Sequence, residues 1–396
     1  MTTEDSIVAT VAEAVRTREP LLIQGNGTKA GMLRPVQAER TLSTAGLSGI
    51  NLYAPKELIL SAWAGTPLPE IEAAVAASGQ HLIAEPPDLS ALLGATGKPQ
   101  TLGGVVAANL SGPRRVAWGA MRDHVMGIRA VTGRAEIVRS GGRVLKNVTG
   151  LDLCKLLTGS HGTLGVITEI TLKVLPAPEA TGTLALFGLD ATAGVAALSA
   201  ALGSPFGVSG AAWLPESAAA RVPALACIGG SATLIRVEDF TPSVVYRIGR
   251  LKDQFARAGA QTFDTDVSQA LWKHIRDATP LATHLQDAVW RISVRPSAGP
   301  AVLDTLRGNG VEGFLDWGGG LVWLSGPADA ATHAAVESAA RTAGGTWTLL
   351  RAPDTLRSIV RVVPDEAPAL ARITRQVKVA MDPAGILNPG RLYAGL

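Results

Sequence analysis

Hydrophobic residues recur at helix and strand spacings through the first half of the chain. Ile7, Val11 and Ala14 share one face of a predicted helix, and residues 21–23 form a short apolar run typical of a buried strand. The clearest signal lies at residues 166–174, where apolar and polar positions alternate as in a strand with one buried face. Further strands are predicted at residues 58–63, 127–132, 135–139 and 144–145, and a further helix at residues 66–79.

The second half of the chain gives weaker signals. The strand at residues 166–174 runs into Pro176 and Pro178, which predicts a domain boundary. Residues 180–345 are rich in alanine and contain no sharp motif. Near the end, Leu370, Ile373, Val377 and Met381 follow a helical spacing.

Composition and charge exclude several classes of protein. Hydrophobic residues make up 47% of the 396 residues and charged residues 17%, which allows a large core and excludes global disorder. The formal net charge is +3 and no block of five like charges occurs, so nucleic-acid binding is not predicted. No signal-peptide pattern and no run of about 18 apolar residues is present, so we expect a cytoplasmic chain without a membrane span of its own, membrane-associated only through partners.

Cysteine content limits the metal chemistry that this chain can support. Cys154 and Cys227 are the two cysteines, and each lies in an apolar run. An iron–sulfur cluster or a Cys₄ zinc site needs four thiolates, so neither site is predicted. Electrons that leave this chain would therefore pass to metal centres on another chain.

A glycine-rich turn directly follows the first predicted strand. Residues 23–31 read IQGNGTKAG, so a buried strand leads into Gly25, Asn26, Gly27, Thr28 and Lys29. Glycines let successive main-chain N–H groups face a ligand closely, which suits a diphosphate. Gly25, Gly27 and Ala30 also satisfy the pattern of nicotinamide-binding folds, but Gly31 and Pro35 interrupt the helix which that pattern requires. A plain glycine-rich turn is the remaining alternative.

Three later segments add residues suited to a flat cofactor. Residues 101–125 place small residues at intervals along an apolar stretch, with Asn109 and Ser111 as hydrogen-bonding groups and Arg114 or Arg122 as a counter-charge for phosphate. Residues 146–168 contain a short helix and a glycine turn that enters the alternating strand. Residues 388–391 read NPGR, a turn that could aim Arg391 at a ring or substrate or serve a purely structural role.

These four segments, in this order, resemble the FAD-binding domain of the vanillyl-alcohol-oxidase superfamily. Residues 146–168, KNVTGLDLCKLLTGSHGTLGVIT, are similar to that superfamily's run almost letter for letter. The resemblance covers about residues 15–178 and 365–396. Within the superfamily, the stretches EPPDLS, AANLSGPRRVAWGAMRD, VWRISV and DWGG resemble the flavoprotein subunits of bacterial glycolate oxidases.

The resemblance implies an α+β fold of the PCMH type. Residues 1–178 would form an FAD-binding domain of two α/β subdomains, residues 179–345 an α/β cap domain, and residues 346–396 a C-terminal segment that returns to the FAD-binding domain. FAD would be held non-covalently, since neither histidine nor cysteine lies in the nucleotide loop. The implied cofactor-binding residues are Gly25, Asn26, Gly27, Thr28 and Lys29 at the diphosphate; Pro86, Pro87, Thr101, Leu102, Gly103 and Gly104 beside the flavin; Asn109, Ser111, Gly112, Arg114 and Gly119 along the cofactor; and Asp123, Val125, Gly162, Gly165, Val166 and Ile167 towards the adenine.

The resemblance also implies an oxidoreductase that acts within a complex. The substrate would be glycolate or another small 2-hydroxy acid, and the partners a second flavoprotein subunit and an iron–sulfur subunit. Two alternatives remain open, namely a stand-alone dehydrogenase and a scaffold subunit whose flavin does not turn over. The candidates for a catalytic role are Arg291, which could clamp a carboxylate, Lys146 at the flavin edge, and Arg391.

The chain differs from the 2-hydroxy-acid dehydrogenases of this superfamily in its histidines. Those enzymes carry a metal-binding histidine pair in the C-terminal half, whereas His274, His284 and His333 show no such pattern here. No metal site is therefore predicted, and no general base for the substrate hydroxyl is evident.

Overall fold

A computed structural model describes residues 2–142, 151–256 and 259–396. The strands are β1 (Leu21–Gln24), β2 (Arg40–Ser43), β3 (Ile50–Ala54), β4 (Ile59–Trp63), β5 (Gln80–Leu82), β6 (Val125–Val131), β7 (Ile137–Gly141), β8 (Val166–Pro176), β9 (Ala180–Phe187), β10 (Val208–Leu214), β11 (Ala232–Asp239), β12 (Gln261–Phe263), β13 (Ala288–Ser293), β14 (Glu312–Asp316), β15 (Leu321–Gly326) and β16 (Thr346–Arg351).

The α-helices lie between these strands and at both ends of the described chain. They are α1 (Glu4–Thr17), α2 (Leu68–Ala76), α3 (Ser90–Leu93), α4 (Leu102–Ala107), α5 (Arg115–Trp118), α6 (Met121–His124), α7 (Leu153–Leu157), α8 (Ala191–Leu202), α9 (Glu216–Ala219), α10 (Thr241–Gln254), α11 (Thr265–Arg276), α12 (Gly299–Arg307), α13 (Ala330–Thr342), α14 (Asp354–Arg357) and α15 (Pro368–Met381). Among the described residues, every helix is too short or too polar to serve as a transmembrane segment.

The N-terminal part contains two sheets. β1 and β2 pair in parallel, and an antiparallel sheet has the order β3-β4-β8-β6-β7, with β5 also pairing with β8. The long strand β8 is central because its alternating apolar residues pack into the core while the intervening ones are less buried. A small second core joins α1 to β1 through Ile7, Val11 and Leu21.

The cap is one eight-stranded sheet in the order β12-β9-β11-β10-β14-β15-β13-β16, with antiparallel pairing throughout. Helices α8, α10, α12 and α13 pack on it, and α5 from the N-terminal part contacts β10. The predicted boundary at residue 345 falls just before β16, so the C-terminal segment first supplies the last strand of the cap sheet. The three-part division of the chain stays a prediction.

The last residues of the chain return to β1. The Leu21 N–H donates to the Ile386 carbonyl over 2.8 Å, and the Asn388 N–H donates to the Leu21 carbonyl over 3.1 Å. Lys378 of α15 is buried and binds Asp382 and the Leu387 carbonyl, at 2.7 and 2.9 Å. The C-terminal turn is thereby fixed beside the glycine turn that follows β1.

Candidate functional site

A cleft opens where the β1 turn, the N-terminus of α4 and the C-terminal turn meet. It holds about 100 Å³ of water-accessible space. The residues that line it are Leu22, Ile23, Gln24, Gly25, Asn26, Gly27, Thr28, Lys29, Ala30, Thr44, Thr101, Gly103, Gly104, Ala107, Ala108, His161, Gly162, Gly165, Ile167, Asn388 and Arg391.

The turn after β1 presents a row of main-chain donors to this cleft. Within the described residues, none of the five N–H groups from residue 25 to residue 29 donates a hydrogen bond. Gly27 has φ +73°, which residues with a side chain rarely adopt, and the Ala30 N–H closes the turn onto the Gly27 carbonyl at 3.0 Å. Successive free N–H groups in a turn make a concave site for an anion.

Lys29 adds a cation to these donors. Its Nζ atom donates to Gln100 Oε1 over 2.9 Å, and burial lowers the pKa of Lys29 to about 8, although Asp88 opposes this shift. Lys29 forms no ion pair within the described residues, and a lysine without one is costly to bury. An anionic ligand in the cleft would remove this penalty.

The opposite wall of the cleft is built for close backbone approach. A Cβ atom at Gly25 would lie 2.2 Å from Thr101 Oγ1, and one at Gly103 would lie 2.8 Å from the Cβ atom of Ala64. Thr101 caps α4 by accepting a hydrogen bond from the Gly104 N–H at 3.3 Å. The glycines therefore keep the β1 turn and α4 close enough to form one narrow cleft.

The C-terminal turn completes the third wall. Asn388 has φ +42°, its Oδ1 accepts from the Ile23 N–H at 2.7 Å, and its Nδ2 donates to the His161 carbonyl at 2.8 Å. Burial lowers the pKa of His161 to about 3, with Arg391 and Lys29 contributing, so its imidazole is neutral at neutral pH. A neutral ring beside two cations adds no charge that would oppose an anion.

Arg391 is held behind the turn by backbone carbonyls. Its guanidinium donates to the carbonyls of Lys29 and Arg34 at 2.8 and 3.0 Å, and burial lowers its pKa to about 10. These bonds fix the carbonyl groups of the turn, whose residues line the cleft. Arg391 thus positions the turn and contributes positive potential.

The comparisons with known proteins agree with this geometry. A family model described as an FAD binding domain matches residues 1–141. The glycolate oxidase subunit GlcE of Escherichia coli (strain K12) is 36% identical to this chain over 391 residues, which is 99% of this chain and 97% of the relative. The chain belongs to the GlcE family of glycolate oxidase subunits.

A second relative matches part of the sequence, and a solved structure shares the fold over nearly the whole chain. The glycolate oxidase subunit GlcD of Bacillus subtilis (strain 168) is 34% identical over 179 residues, which is 44% of this chain and 36% of that relative. The crystal structure of p-cresol methylhydroxylase with substrate bound superposes with a TM-score of 0.73 at 14% identity, covering 99% of this chain and 87% of that one. The predicted α+β fold of the PCMH type, FAD as the cofactor and the class of FAD-linked oxidoreductase subunits are confirmed.

The residues of this GlcE family member fit the cofactor. A dinucleotide diphosphate is an anion, and the cleft offers it the free N–H groups of residues 25–29 and the desolvated Lys29. Eleven of the predicted cofactor-binding residues line this one cleft, although they come from three separate segments. They are Gly25, Asn26, Gly27, Thr28, Lys29, Thr101, Gly103, Gly104, Gly162, Gly165 and Ile167.

The structure does not bring the other predicted residues to the cleft lining, and several of them stabilise nearby loops instead. Asn109 Oδ1 accepts a hydrogen bond from the Arg122 N–H at 3.1 Å. Ser111 Oγ accepts one from the Met121 N–H at 2.8 Å. Asp123 Oδ2 accepts one from the Ala120 N–H at 2.8 Å. The predicted residues outside the lining are Pro86, Pro87, Leu102, Asn109, Ser111, Gly112, Arg114, Gly119, Asp123, Val125 and Val166.

Arg114 is the clearest example of a residue with a different partner. Its Nε and Nη2 atoms donate to both carboxylate oxygens of Glu238 in the cap, at 3.0 and 2.7 Å. Its guanidinium therefore joins the N-terminal part to the cap and does not line the cleft. Pro87 remains linked to the cleft, since its carbonyl accepts from Gln100 Nε2 at 3.1 Å and Gln100 in turn binds Lys29.

Sequence reasoning missed some residues that line the cleft. Thr44 follows β2 and lies outside the four segments, and Ala107 and Ala108, at the end of α4, lie within residues 101–125 but have no polar side chain that would mark them as binding residues. In the sequence, Asn388 stands out only as part of a turn. Its hydrogen bonds join residues 365 positions apart, which no local pattern encodes.

The three catalytic candidates fall in different places. Arg391 lines the cleft, Arg291 lies in the cap sheet, and Lys146 is outside the described residues, as is the predicted strand at residues 144–145. Among the described residues, no group of three or more histidine, cysteine, aspartate or glutamate side chains is arranged to hold a metal ion.

Arg291 belongs to a cationic and aromatic cluster at the junction of the cap and the N-terminal part. Its guanidinium carbon lies 4.9 Å from the ring centre of Trp323 and 5.6 Å from that of Trp317. The guanidinium carbon of Arg115 lies 4.6 Å from the ring centre of Trp317. Trp317 Nε1 donates to the Gly112 carbonyl at 3.1 Å, which fixes the cluster to the N-terminal part. The face of an aromatic ring stabilises a guanidinium group without neutralising its positive charge.

The charge of this cluster is not balanced by a carboxylate. In the described parts of the chain, Arg291 makes no ion pair and its buried Nε has no hydrogen-bond acceptor. Burial lowers the pKa of Arg291 to about 10 and raises the pKa of nearby Asp316 to about 7. Because Asp316 is only partly ionised at neutral pH, the cluster retains positive charge and suits an anionic ligand.

Proposed function

We propose that this chain binds FAD non-covalently in the cleft and takes part, as one subunit of a glycolate oxidase, in the oxidation of a small 2-hydroxy acid. The observation that carries the proposal is the row of five free N–H groups after β1, which faces a cleft that also holds Lys29. No cysteine lines the cleft, and the His161 imidazole that does is buried and neutral.

The residues of this chain would each have a defined task. FAD supplies the two-electron acceptor when it is bound. The β1 turn and Lys29 bind its diphosphate, and Arg391 holds the turn in place. Arg291 and Arg115 would orient the carboxylate of the substrate, since neither guanidinium forms an ion pair in the described part of the chain and such a pair of cations favours an organic acid.

The proposal includes partner chains. A second flavoprotein subunit and an iron–sulfur subunit would complete the complex, because the two cysteines of this chain cannot hold a cluster. The relatives GlcE and GlcD are both named as subunits of glycolate oxidase, which supports an assembly of this kind. The chain itself would be cytoplasmic.

Anaerobic mixing tests the proposal. The purified chain is mixed with glycolate and with D-lactate, alone and together with its two partner subunits, and the visible flavin band is followed. We expect bleaching only with the partner subunits. Bleaching of the isolated chain would indicate a stand-alone dehydrogenase, and no bleaching of this chain's flavin in either case would indicate a scaffold subunit.

Lys29 gives the binding of FAD a pH dependence. Its pKa of about 8 lies below the usual 10.5, and a bound diphosphate would raise it again, so binding takes up a proton above pH 8. We expect affinity for FAD to be constant below about pH 8 and to fall above it, by at most about tenfold per pH unit. Fluorescence titration at several pH values measures this.

The variant Lys29→Met isolates that effect. We expect FAD to bind about 10- to 100-fold more weakly at pH 7, which corresponds to one charge-assisted contact, and the pH dependence to flatten. Lys98→Met, at an exposed lysine, is the control and keeps both properties. Wild-type affinity with an unchanged pH profile in Lys29→Met would show that Lys29 does not contact the diphosphate.

Arg291 should govern substrate affinity. In the assembled enzyme, we expect Arg291→Met to lower kcat/KM by about 100-fold or more, chiefly through KM, while the FAD spectrum is unchanged. Arg291→Lys should recover little, because an ammonium cannot form the paired bonds of a guanidinium. The exposed Arg295 provides the control, Arg295→Met. Activity of Arg291→Met within about twofold of wild type would refute the assignment.

A further inference from the structure

A buried glutamine, Gln100, contacts the ammonium group of Lys29. Its Oε1 atom accepts a hydrogen bond from Lys29 Nζ at 2.9 Å, and its Nε2 atom donates one to the Pro87 carbonyl at 3.1 Å. Gln100 is 5% exposed and does not itself line the cleft beside the β1 turn. Any effect of Gln100 on a ligand in the cleft therefore passes through its neighbours.

The two partners fix the direction in which the amide group points. An ammonium group can only donate hydrogen bonds and a backbone carbonyl can only accept them, so the amide oxygen must face Lys29 and the amide nitrogen must face Pro87. The main chain is fixed here as well, because the carbonyl of residue 100 accepts from the Leu68 N–H at 2.9 Å and the next residue, Thr101, caps α4. The amide oxygen is therefore held in one position.

The position of this oxygen determines where the charge of Lys29 lies. Among the described residues, the contact with Gln100 is the single hydrogen bond that the Lys29 side chain makes. A Cβ atom added at Gly104, in the first turn of α4, would lie 3.9 Å from Lys29 Nζ, so the ammonium group lies at the wall of the cleft that α4 forms. An ammonium group carries three donors, so two of them remain available to an anion there.

The neutral charge of Gln100 matters as much as its position. A glutamate at residue 100 would form an ion pair with Lys29 and compete with an anionic ligand, whereas an amide orients the ammonium group without cancelling its charge. Asp88 acts on Lys29 only from beyond the distance of an ion pair. The other titratable groups close to Lys29 are His161, on the turn after α7, and Arg391, on the C-terminal turn. A substitution at residue 100 leaves all three of these groups in place.

We propose that Gln100 is a positioning residue for FAD, whose amide oxygen aims the Lys29 ammonium group at the diphosphate and leaves its charge free for that anion. This inference rests on the proposed binding of FAD in the cleft. It predicts that substitutions at residue 100 move the pH above which the affinity for FAD falls, in a direction set by the charge of the new side chain. Damage to the surrounding loops alone would weaken binding at every pH and leave that pH unchanged.

The test measures the Kd for FAD by fluorescence titration between about pH 6 and about pH 10. Gln100→Met keeps the length of the side chain but removes the acceptor that stabilises the ammonium group. We expect its affinity to begin to fall about one pH unit below the wild type, with about tenfold weaker binding at pH 7. Gln100→Glu stabilises the ammonium group and competes with the diphosphate. We expect its affinity to begin to fall about one pH unit above the wild type, also with weaker binding at pH 7.

Gln80→Met is the matched control. Gln80 is also a buried glutamine whose Nε2 atom donates to a proline carbonyl, that of Pro55 at 2.8 Å, but it does not line the cleft or bind Lys29. This variant should keep the wild-type affinity and pH profile. Because the two substitutions at residue 100 shift the pH in opposite directions, either of them decides the question if the other fails to fold.

The outcomes separate this inference from the proposed function. If the wild type binds FAD and the folded variants at residue 100 lose affinity above the same pH as the wild type, the positioning role is wrong while the proposed function stands. A wild-type affinity that does not depend on pH would overturn the positioning role together with the contact between Lys29 and the diphosphate. If the wild-type chain does not bind FAD at all, the proposed function fails as well.

Discussion

Gly25→Val should yield a folded chain that no longer retains FAD. A Cβ atom added at this position would lie 2.2 Å from Thr101 Oγ1 and 3.2 Å from Thr101 Cβ. The branched side chain of valine must therefore push the β1 turn away from α4. That separation moves the free N–H groups of residues 25–29 away from the wall that faces them. We expect the Kd for FAD to rise at least about 100-fold, while overpacking costs the fold only about 1–3 kcal/mol.

Two further variants distinguish a steric cause from a general loss of stability. Gly25→Ala combined with Thr101→Ala removes the contacting hydroxyl and methyl groups, and this pair should recover much of the affinity that Gly25→Ala loses. Gly249→Ala is the control, because a Cβ there meets no atom within 4 Å. Absorbance and fluorescence titration with FAD measure all four proteins. Normal FAD binding by Gly25→Val would contradict the proposed position of the diphosphate.

Arg236→Met should cause a large loss of stability. Arg236 is 2% exposed and joins Glu85 of the N-terminal part to the cap, with Nη1 at 2.8 Å from Glu85 Oε1 and Nε at 3.4 Å from Glu238 Oε2. Arg114 binds the second oxygen of Glu238 at 2.7 Å. Methionine keeps most of the volume but leaves buried carboxylates with too little positive charge. We expect the free energy of unfolding to fall by about 3–5 kcal/mol.

The same network sets the response of the protein to acid. Burial alone would raise the pKa of Glu85 and Glu238, but Arg236 and Arg114 outweigh it, so the pKa of Glu85 is lowered and that of Glu238 falls to about 2. A carboxylate with a lowered pKa stabilises the fold above its usual pKa of 4.5, and this contribution is lost as pH falls from there towards 2. The difference between wild type and Arg236→Met should therefore shrink over this range.

Denaturant unfolding at pH 7 and at several acidic pH values measures these differences. Arg307→Met provides the control, since Arg307 pairs with Asp304 on an exposed helix surface and should change stability by less than about 1 kcal/mol. A loss no greater than that of the control would mean that the contact between Arg236 and Glu85 contributes little to holding the two parts together.

The N-terminal part was predictable because its signals are local. Residues 21–29 place a buried strand directly before glycines, and residues 166–174 alternate because β8 buries one face. The resemblance of residues 146–168 to an FAD-binding superfamily then made the fold of the whole N-terminal part predictable. The eleven predicted residues in the cleft come mainly from such segments.

The cap was not predictable in detail because its central strands are buried on both faces. All seven residues of β10, VSGAAWL, are buried, so no alternation of apolar and polar residues marks the strand. The network at the junction was also hidden from the sequence. Arg114 reads as a phosphate ligand in its own segment, and its partner Glu238 lies 124 positions further along. Contacts at such separations depend on the tertiary fold and leave no local pattern.

The most direct test of the central claim is an FAD titration of the purified chain, followed by acid precipitation. The account predicts that the chain binds one FAD, that Gly25→Val does not, and that acid releases all of the flavin into the supernatant. A wild-type chain that stays colourless in excess FAD, or flavin that remains with the precipitate, would contradict non-covalent binding of FAD at the β1 turn.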